Sequence, residues 1–134
     1  MPDNAQLDIF QFALLVSDYD EAIQYYTKVL GFDLLEDTDL GSGKRWVRIA
    51  PEGSNCSLLL AKAKNENQAR YIGNQTGGRV FLFMRTDDFQ HVYRSYRKKN
   101  VRFVEEPRDE AFGQVVVFED LYGNLWDLIG EKKT

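Results

Sequence analysis

The 134-residue chain contains a single cysteine and a single histidine, and each scarcity excludes a class of protein. One cysteine, Cys56, cannot form an intrachain disulfide. One histidine, His91, excludes a metal site built from several imidazoles of one chain. No apolar run approaches the roughly 18 residues of a membrane-spanning helix, and the first residues lack the basic and apolar regions of an export signal. We therefore expect a cytoplasmic protein that does not bind membranes.

The charge balance is mildly acidic, with 17 basic and 21 acidic residues and a formal net charge of −4. A nucleic-acid-binding domain presents a dense basic face. Here the one local basic cluster, within residues 94–99, is expected to be the solvated end of a helix. The sequence therefore predicts no nucleic-acid partner. The length suits one compact domain, 1–134, with a substantial hydrophobic core.

The two halves of the chain repeat one pattern. Asp18 corresponds to Asp87 and Gly31 to Asn100, in both cases 69 residues further on. Nearer the C-terminus the offset is 68, and the segments that correspond there are Leu58-Leu59-Leu60 and Trp126-Asp127-Leu128. A chain built from two copies of one unit tends to bind its ligand between the copies, so the repeat predicts where a functional site lies.

Each copy is predicted to form a strand, a helix and three further strands. Asp18, with Glu21 three residues later, is typical of a capped helix start, and Asp87 with Gln90 is the corresponding cap of the second copy. Gly31 is the expected end of the first helix, since glycine enters the left-handed backbone region at little cost. The predicted class is α+β, with a first module at 8–61, a linker at 62–78 and a second module at 79–130.

Several segments within residues 8–130 occur in a characteristic order, namely Ala13-Leu14-Leu15-Val16-Ser17-Asp18-Tyr19-Asp20-Glu21-Ala22, Tyr25-Tyr26, Leu30-Gly31-Phe32, Thr86-Asp87-Asp88 and Phe118-Glu119-Asp120-Leu121-Tyr122-Gly123-Asn124-Leu125-Trp126-Asp127-Leu128. Together with the repeat, they resemble the vicinal oxygen chelate superfamily of glyoxalase I, bleomycin resistance proteins and extradiol dioxygenases. The resemblance implies two tandem βαβββ modules that form a curved mixed sheet around a cleft, and a homodimer. Whether the modules enclose the cleft within one chain or between chains stays open.

The resemblance also implies a divalent metal in the cleft, held by His, Glu or Gln from the first and last strand of each module. The four corresponding positions here are Gln11, Leu59, Val80 and Asp127. Two of them are aliphatic, and one carboxylate with one neutral amide is a poor set for Zn²⁺ or Fe²⁺. Mg²⁺ and Mn²⁺ accept oxygen ligands but usually need more negative charge. We therefore expect no cofactor and no metal ligands, since a divalent metal is not supported by this set.

Strand alternation divides the remaining side chains between cleft and core. If Gln11 and Asp127 face the cleft, then Ser57 and Met84 face it too, whereas Phe83 belongs to the core. The predicted cleft is mostly apolar with a few polar points, as is usual for a small-ligand pocket.

The third strand of the first module contributes two further candidates. The aliphatic Val47 and Ile49 are expected in the core, which turns Trp46 and Arg48 toward the ligand. Trp46 can stack on a planar or cationic group, and Arg48 can pair with Asp127 or with a ligand carboxylate. An equally open alternative is that Trp46 and Arg48 pack against a dimer partner. With one aromatic from a loop that can cover the cleft (Phe112), the candidate ligand-binding residues are Gln11, Trp46, Arg48, Ser57, Met84, Phe112 and Asp127.

Two functions fit this pattern. The first is a protein that binds a small molecule in the cleft without a metal, similar to the bleomycin-resistance branch. Its acidic chain and Trp-containing cleft suit a cationic or aromatic ligand. The second is an enzyme of the superfamily, a lyase, isomerase or dioxygenase, with an atypical metal site or with Asp127 as its catalytic general base. A lone buried carboxylate has a raised pKa, which suits that role. A third possibility is a purely structural role in the dimer.

Overall fold

The computed structural model describes residues 5–132, which form two β-sheets and three short helical segments. Sheet 1 has the strand order β1-β4-β3-β2, with the strands β1 Gln11–Val16, β2 Asp33–Gly41, β3 Lys44–Ala50 and β4 Ser57–Lys62. Sheet 2 has the order β5-β9-β8-β6, with β7 also paired to β8, and its strands are β5 Leu82–Thr86, β6 Arg102–Phe103, β7 Arg108–Glu110, β8 Gly113–Glu119 and β9 Leu125–Glu131. The helices are α1 Tyr19–Gln24, which continues as a π-helical turn at Tyr25–Val29, α2 Glu66–Ala69 and α3 Phe89–Lys98.

The predicted α+β class is confirmed. In each sheet the first strand of the module lies parallel to the last, β1 beside β4 and β5 beside β9. One strand was not predicted, since β7 lies within residues 107–112, which the sequence predicts to be the loop that carries Phe112. No helix within residues 5–132 is both long and apolar enough to cross a membrane. The cytoplasmic location stays a prediction.

The two helix starts correct the predicted alignment of the copies. The Asp18 carboxylate accepts a hydrogen bond from the Glu21 backbone N–H at 2.8 Å, as predicted for a capped helix start. In the second copy the cap is Asp88 and not Asp87, because it is the Asp88 carboxylate that accepts from the His91 N–H, at 3.2 Å. Because Asp87 and Asp88 are adjacent, the sequence did not show which of the two caps the helix. The offset at the helix starts is therefore 70 and not 69.

The π-helical turn accounts for this shift. Gly31 and Asn100 have left-handed backbone, with φ of 80° and 62°, so both helices do end 69 residues apart. The first copy thus holds one more residue between its cap and its left-handed residue. A π-helical turn accommodates such an insertion by bonding five residues apart, as the Leu30 N–H does to the Tyr25 carbonyl at 3.2 Å.

The helix-covered faces of both sheets share one hydrophobic core. Phe32 of the first module and Trp126 of the second lie 5.7 Å apart, ring centre to ring centre. The Tyr96 hydroxyl of α3 donates a hydrogen bond to the Leu30 carbonyl at 2.8 Å. The fully buried members of this core from the two sheets are Leu14, Val16, Val47, Ile49, Val116, Phe118 and Leu128. Within one chain the modules therefore pair through their helix-covered faces.

The other face of each sheet is turned away from this shared core. We call them open face 1, formed by Gln11, Ala13, Leu15, Trp46, Arg48, Ser57, Leu59 and Ala61, and open face 2, formed by Phe83, Val117, Asp127 and Ile129. The sequence left open whether the modules enclose the cleft within one chain or between chains, and the structure answers this for the single chain. Its two modules do not enclose a cleft between their open faces.

A buried carboxylate joins the modules at the turn between β8 and β9. Asp120, 5% exposed, accepts hydrogen bonds from the Tyr26 hydroxyl of the π-helical turn at 2.6 Å and from the Trp126 indole at 3.0 Å. The side-chain amide and backbone N–H of Asn124 and the backbone N–H of Tyr122 complete its partners. A buried carboxylate is costly without such donors, so this network fixes the relative position of the modules.

Candidate functional site

Open face 1 follows the alternation predicted for β3. Val47 and Ile49 are fully buried, and Trp46 and Arg48 point to the other side of the sheet and are partly exposed. Arg48 is the register partner of Leu59, which lies on the same face. The structure therefore brings a planar aromatic and a cation to one surface, although their roles in ligand binding stay predictions.

A small polar group occupies one end of open face 1. Gln11 and Ser57 are register partners on β1 and β4. The Gln11 side-chain oxygen accepts from Arg48 Nε at 2.8 Å and from the Ser57 hydroxyl at 3.1 Å, and Arg48 also reaches the Ser57 oxygen at 3.4 Å. Glu36 on β2 lies 3.6 Å from the same guanidinium. The four side chains hold one another, so this end of the face is rigid and close to neutral.

This polar group does not fit a resident divalent metal. The one oxygen that Gln11 offers already accepts from a guanidinium, whose positive charge repels a second cation. Leu59 offers no donor, and Asp127 lies on open face 2. Within residues 5–132 no three His, Cys, Asp or Glu side chains come close enough to share an ion.

The fourth position that the resemblance assigns to a metal also needs correction. Leu82 pairs with Trp126 in sheet 2 as Phe12 pairs with Leu58 in sheet 1. The counterpart of Gln11 is therefore Phe81 and not Val80. An aromatic hydrocarbon cannot donate a lone pair, so the correction leaves the donor set no better.

A cavity of about 910 Å³ lies beside Trp46 at the other end of open face 1. Its floor contains Leu15, Leu59 and Ala61, and its walls are the turn between β2 and β3 and the chain that follows β4. The lining residues that carry a positive charge are Lys44, Arg45, Lys62 and Lys64. An apolar floor with an aromatic edge and polar walls is the usual composition of a small-molecule pocket.

Met84 is placed wrongly by the predicted alternation. The register partner of Asp127 is Phe83 and not Met84. The side chain of Phe83 is 66% exposed on open face 2. Met84 packs against the core, and it lines a second cavity of about 470 Å³ with Phe12 and Trp126. The physical reason is the offset at the helix starts, since a shift of one residue moves every side chain of a strand to the opposite face.

Asp127 lies apart from the other candidates, near the centre of open face 2. Burial raises the pKa of its carboxyl, Glu105 raises it further, and Arg108 opposes both. The predicted pair with Arg48 does not form, because Arg48 pairs with Glu36 on open face 1. Asp127 makes no side-chain hydrogen bond with the rest of the chain from residue 5 to 132. These contacts do not test the predicted catalytic role of Asp127, which stays a prediction.

Phe112 is also separated from open face 1. It lies at the turn between β7 and β8, where it is 51% exposed and its carbonyl accepts from the Lys132 N–H at 2.8 Å. The predicted set therefore divides. Gln11, Trp46, Arg48 and Ser57 share open face 1, Asp127 and Phe112 belong to the second module, and Met84 packs against the core. Glu36 and Phe83 were not predicted from the sequence. For Glu36, the pairing of β2 with β3 and the alternation of their side chains could have indicated its place on open face 1.

Comparisons with known proteins agree with this architecture. Residues 8–128 match the family model of the Glyoxalase/Bleomycin resistance protein/Dioxygenase superfamily. An uncharacterized protein of Shewanella frigidimarina (strain NCIMB 400) is 54% identical over 123 residues, which are 90% of this chain and 91% of that protein. The crystal structure of UcmS2 superposes with a TM-score of 0.82 at 25% identity, covering 95% of this chain and all of that one. TnmS3, an antibiotic binding protein from Streptomyces sp. CB03234, superposes with a TM-score of 0.78 at 28% identity, over 97% of this chain and 100% of its own.

Proposed function

Because the chain belongs to the Glyoxalase/Bleomycin resistance protein/Dioxygenase superfamily, we propose that it binds a small planar molecule on open face 1 without a resident metal. The observation that carries this proposal is the cavity beside Trp46, which has an apolar floor and an indole at its edge. A flat hydrophobic ligand buries area against the floor and stacks on the indole.

The similarity to TnmS3 supports binding as the function, since that protein is described as an antibiotic binding protein and covers almost all of this chain. The polar group of Gln11, Arg48 and Ser57 supports it too. Mutual hydrogen bonds already order these side chains. They therefore lose little conformational entropy when a ligand binds to them.

The ligand site is extended, in our proposal, by a second copy of the chain. Each open face is half of a cleft, and open face 2 exposes Phe83, with Phe112 exposed in the same module. Apolar side chains that protrude from a sheet mark an interaction surface. A homodimer in which open face 1 of one copy meets open face 2 of the other covers them and brings Asp127 to the ligand. Light scattering that finds only monomer, at the protein concentrations where ligand binds, contradicts this arrangement.

The binding site is tested by fluorescence, because the chain has two tryptophans in different environments. Trp126 is 3% exposed and hydrogen-bonded to Asp120, whereas Trp46 lines the cavity. A panel of planar aromatic compounds is screened by thermal shift, and those that stabilise the protein are titrated. We expect quenching of indole emission that disappears in Trp46→Phe. Tyr93→Phe on α3 is the control and keeps the quenching. Stabilising compounds that bind both variants equally place the site elsewhere.

The enzyme alternative has one observation in its favour. The pKa of Asp127 is raised, mainly by burial, and a carboxylate with a raised pKa is a better general base. The same titrations therefore include mass spectrometry of each ligand after incubation. Chemical conversion that is lost in Asp127→Asn, while binding persists, selects the enzyme. Ligands recovered unchanged from the wild-type protein select the binding protein.

A further inference from the structure

We propose that the ligand of the cavity beside Trp46 is an anion, a planar aromatic molecule with a carboxylate or another acidic group. This inference rests on the proposed function and adds the ligand's charge to it. It reverses one expectation from the sequence, which associated an acidic chain with a cationic or aromatic ligand.

The evidence is an excess of positive charge on the cavity wall. Lys44, Lys62 and Lys64 border the cavity, and none of them forms an ion pair with any residue between 5 and 132. Lys62 is the register partner of the buried Val16, so its side chain leaves β4 on the opposite side from open face 1. Lys44 precedes Trp46 by two residues on β3, which places both on the same side of the strand. No Asp or Glu of the described chain lines the cavity.

The fourth cation of the wall is already neutralised. Arg45 lies 2.9 Å from the Asp20 carboxylate and 2.7 Å from that of Asp37, and its guanidinium also rests over the ring of Tyr19 at 5.1 Å. Arg48 is similarly compensated by Glu36 at the polar end of open face 1. Lys44 and Lys64 are therefore the charges that remain for a ligand.

A concave wall of one charge selects its ligand by electrostatics. The protein as a whole carries a formal charge of −4, so a local excess of cations is not a by-product of composition. Charges around a concavity reinforce one another there and attract the opposite charge. An ammonium ligand is repelled at the same place, and a carboxylate that enters exchanges water for lysine donors. The apolar floor and Trp46 then accept the aromatic part of the molecule.

The experiment compares three ligands of one shape and different charge. 2-Naphthoate is the anion, 2-naphthalenemethanol is neutral, and 2-naphthylmethylamine is a cation at neutral pH. Affinities are measured by Trp46 quenching and by calorimetry at low (about 20 mM) and high (about 500 mM) salt. We expect the anion to bind about tenfold more tightly than the cation at low salt, with the difference reduced at high salt, as for partly exposed charges.

Two double variants then locate the effect. Lys44→Gln with Lys64→Gln is expected to weaken naphthoate binding about fivefold and to leave the neutral alcohol within about twofold. The matched control, Lys98→Gln with Lys99→Gln, removes the same charge at the far end of α3 and leaves all three affinities in place. An equal loss in both double variants shows that overall charge acts and not the cavity wall, which overturns the inference.

The outcomes separate this inference from the proposed function. If the cation binds as tightly as the anion, and Trp46 still reports binding of the alcohol, the ligand's charge is wrong and the proposed site stands. If none of the three compounds binds, both proposals fall. A preference for the anion that is unaffected by the lysine changes also overturns the inference.

Discussion

The Tyr26–Asp120 contact offers the sharpest test of how the two modules are held together. The change is Tyr26→Phe, which removes one hydroxyl and keeps the ring. Tyr26 is fully buried, and its hydroxyl donates at 2.6 Å to a carboxylate 94 positions along the chain. Because Asp120 keeps its bonds from Trp126 and Asn124, the variant loses one charged hydrogen bond without stranding the carboxylate.

The expected cost follows from the type of bond. A hydrogen bond to a charged group contributes about 1.5–3 kcal/mol, and the remaining donors to Asp120 favour the lower half of that range. We expect the free energy of unfolding of Tyr26→Phe to fall by about 2 kcal/mol and its Tm by about 6 °C. Urea denaturation followed by circular dichroism gives the free energy, and calorimetry gives the Tm.

A neighbouring residue provides the control. Tyr25 lies one position earlier in the same π-helical turn, and its hydroxyl makes no side-chain hydrogen bond with residues 5–132. Tyr25→Phe is therefore expected to change stability by less than about 0.5 kcal/mol. Equal effects of the two changes, or no effect of either, refute the idea that the bond to Asp120 holds the modules in place.

Two further predictions concern the helix cap and alkaline pH. Asp88→Ala is expected to destabilise the protein by about 1 kcal/mol and Asp87→Ala by less than about 0.5 kcal/mol, measured by urea denaturation, and the reverse order contradicts the 70-residue offset. Burial raises the pKa of Tyr25 to about 12, and it also raises the pKa values of Tyr26 and Tyr96 above the ordinary value of tyrosine. The folded protein then holds protons that the unfolded chain releases from about pH 10, so stability is full below that pH and declines above it. Tyr26→Phe lacks one of these groups, and its free energy of unfolding should decline less steeply between about pH 10 and pH 12.

The first module was predictable from sequence because its strands mark their own faces. Gln11, Ser57 and Arg48 are polar residues that alternate with aliphatic ones, so their common face follows from strand geometry alone. The structure places all three on open face 1 within hydrogen-bonding distance. Even Trp46, which carries no polar marker, followed from the requirement that Val47 and Ile49 be buried.

The second module was not predictable in the same way, since residues 80–84, which lead into and begin β5, are all apolar. Alternation carries no information in such a strand, and the orientation had to come from the repeat offset. That offset changes from 70 to 69 within the helix, where the π-helical turn holds one additional residue. The turn leaves no distinctive residue pattern, so Met84 was assigned to the ligand and Phe83 to the core. The packing of the modules was equally hidden, because both faces of each sheet carry apolar side chains.

The contacts of Gln11 support our proposal that the protein binds its ligand without a resident metal. Gln11 occupies a position that the resemblance associates with a metal ligand, but its oxygen accepts from the Arg48 guanidinium. The Arg48 guanidinium, paired with Glu36, orders the site. Unlike a metal ion, it cannot bind a substrate oxygen as a ligand and activate it in that way. In the metal-free site that we propose, the binding energy comes from stacking, apolar contact and the lysine charges. Stacking and apolar contact stabilise a bound ligand as much as a transition state, and for that reason we propose binding as the function.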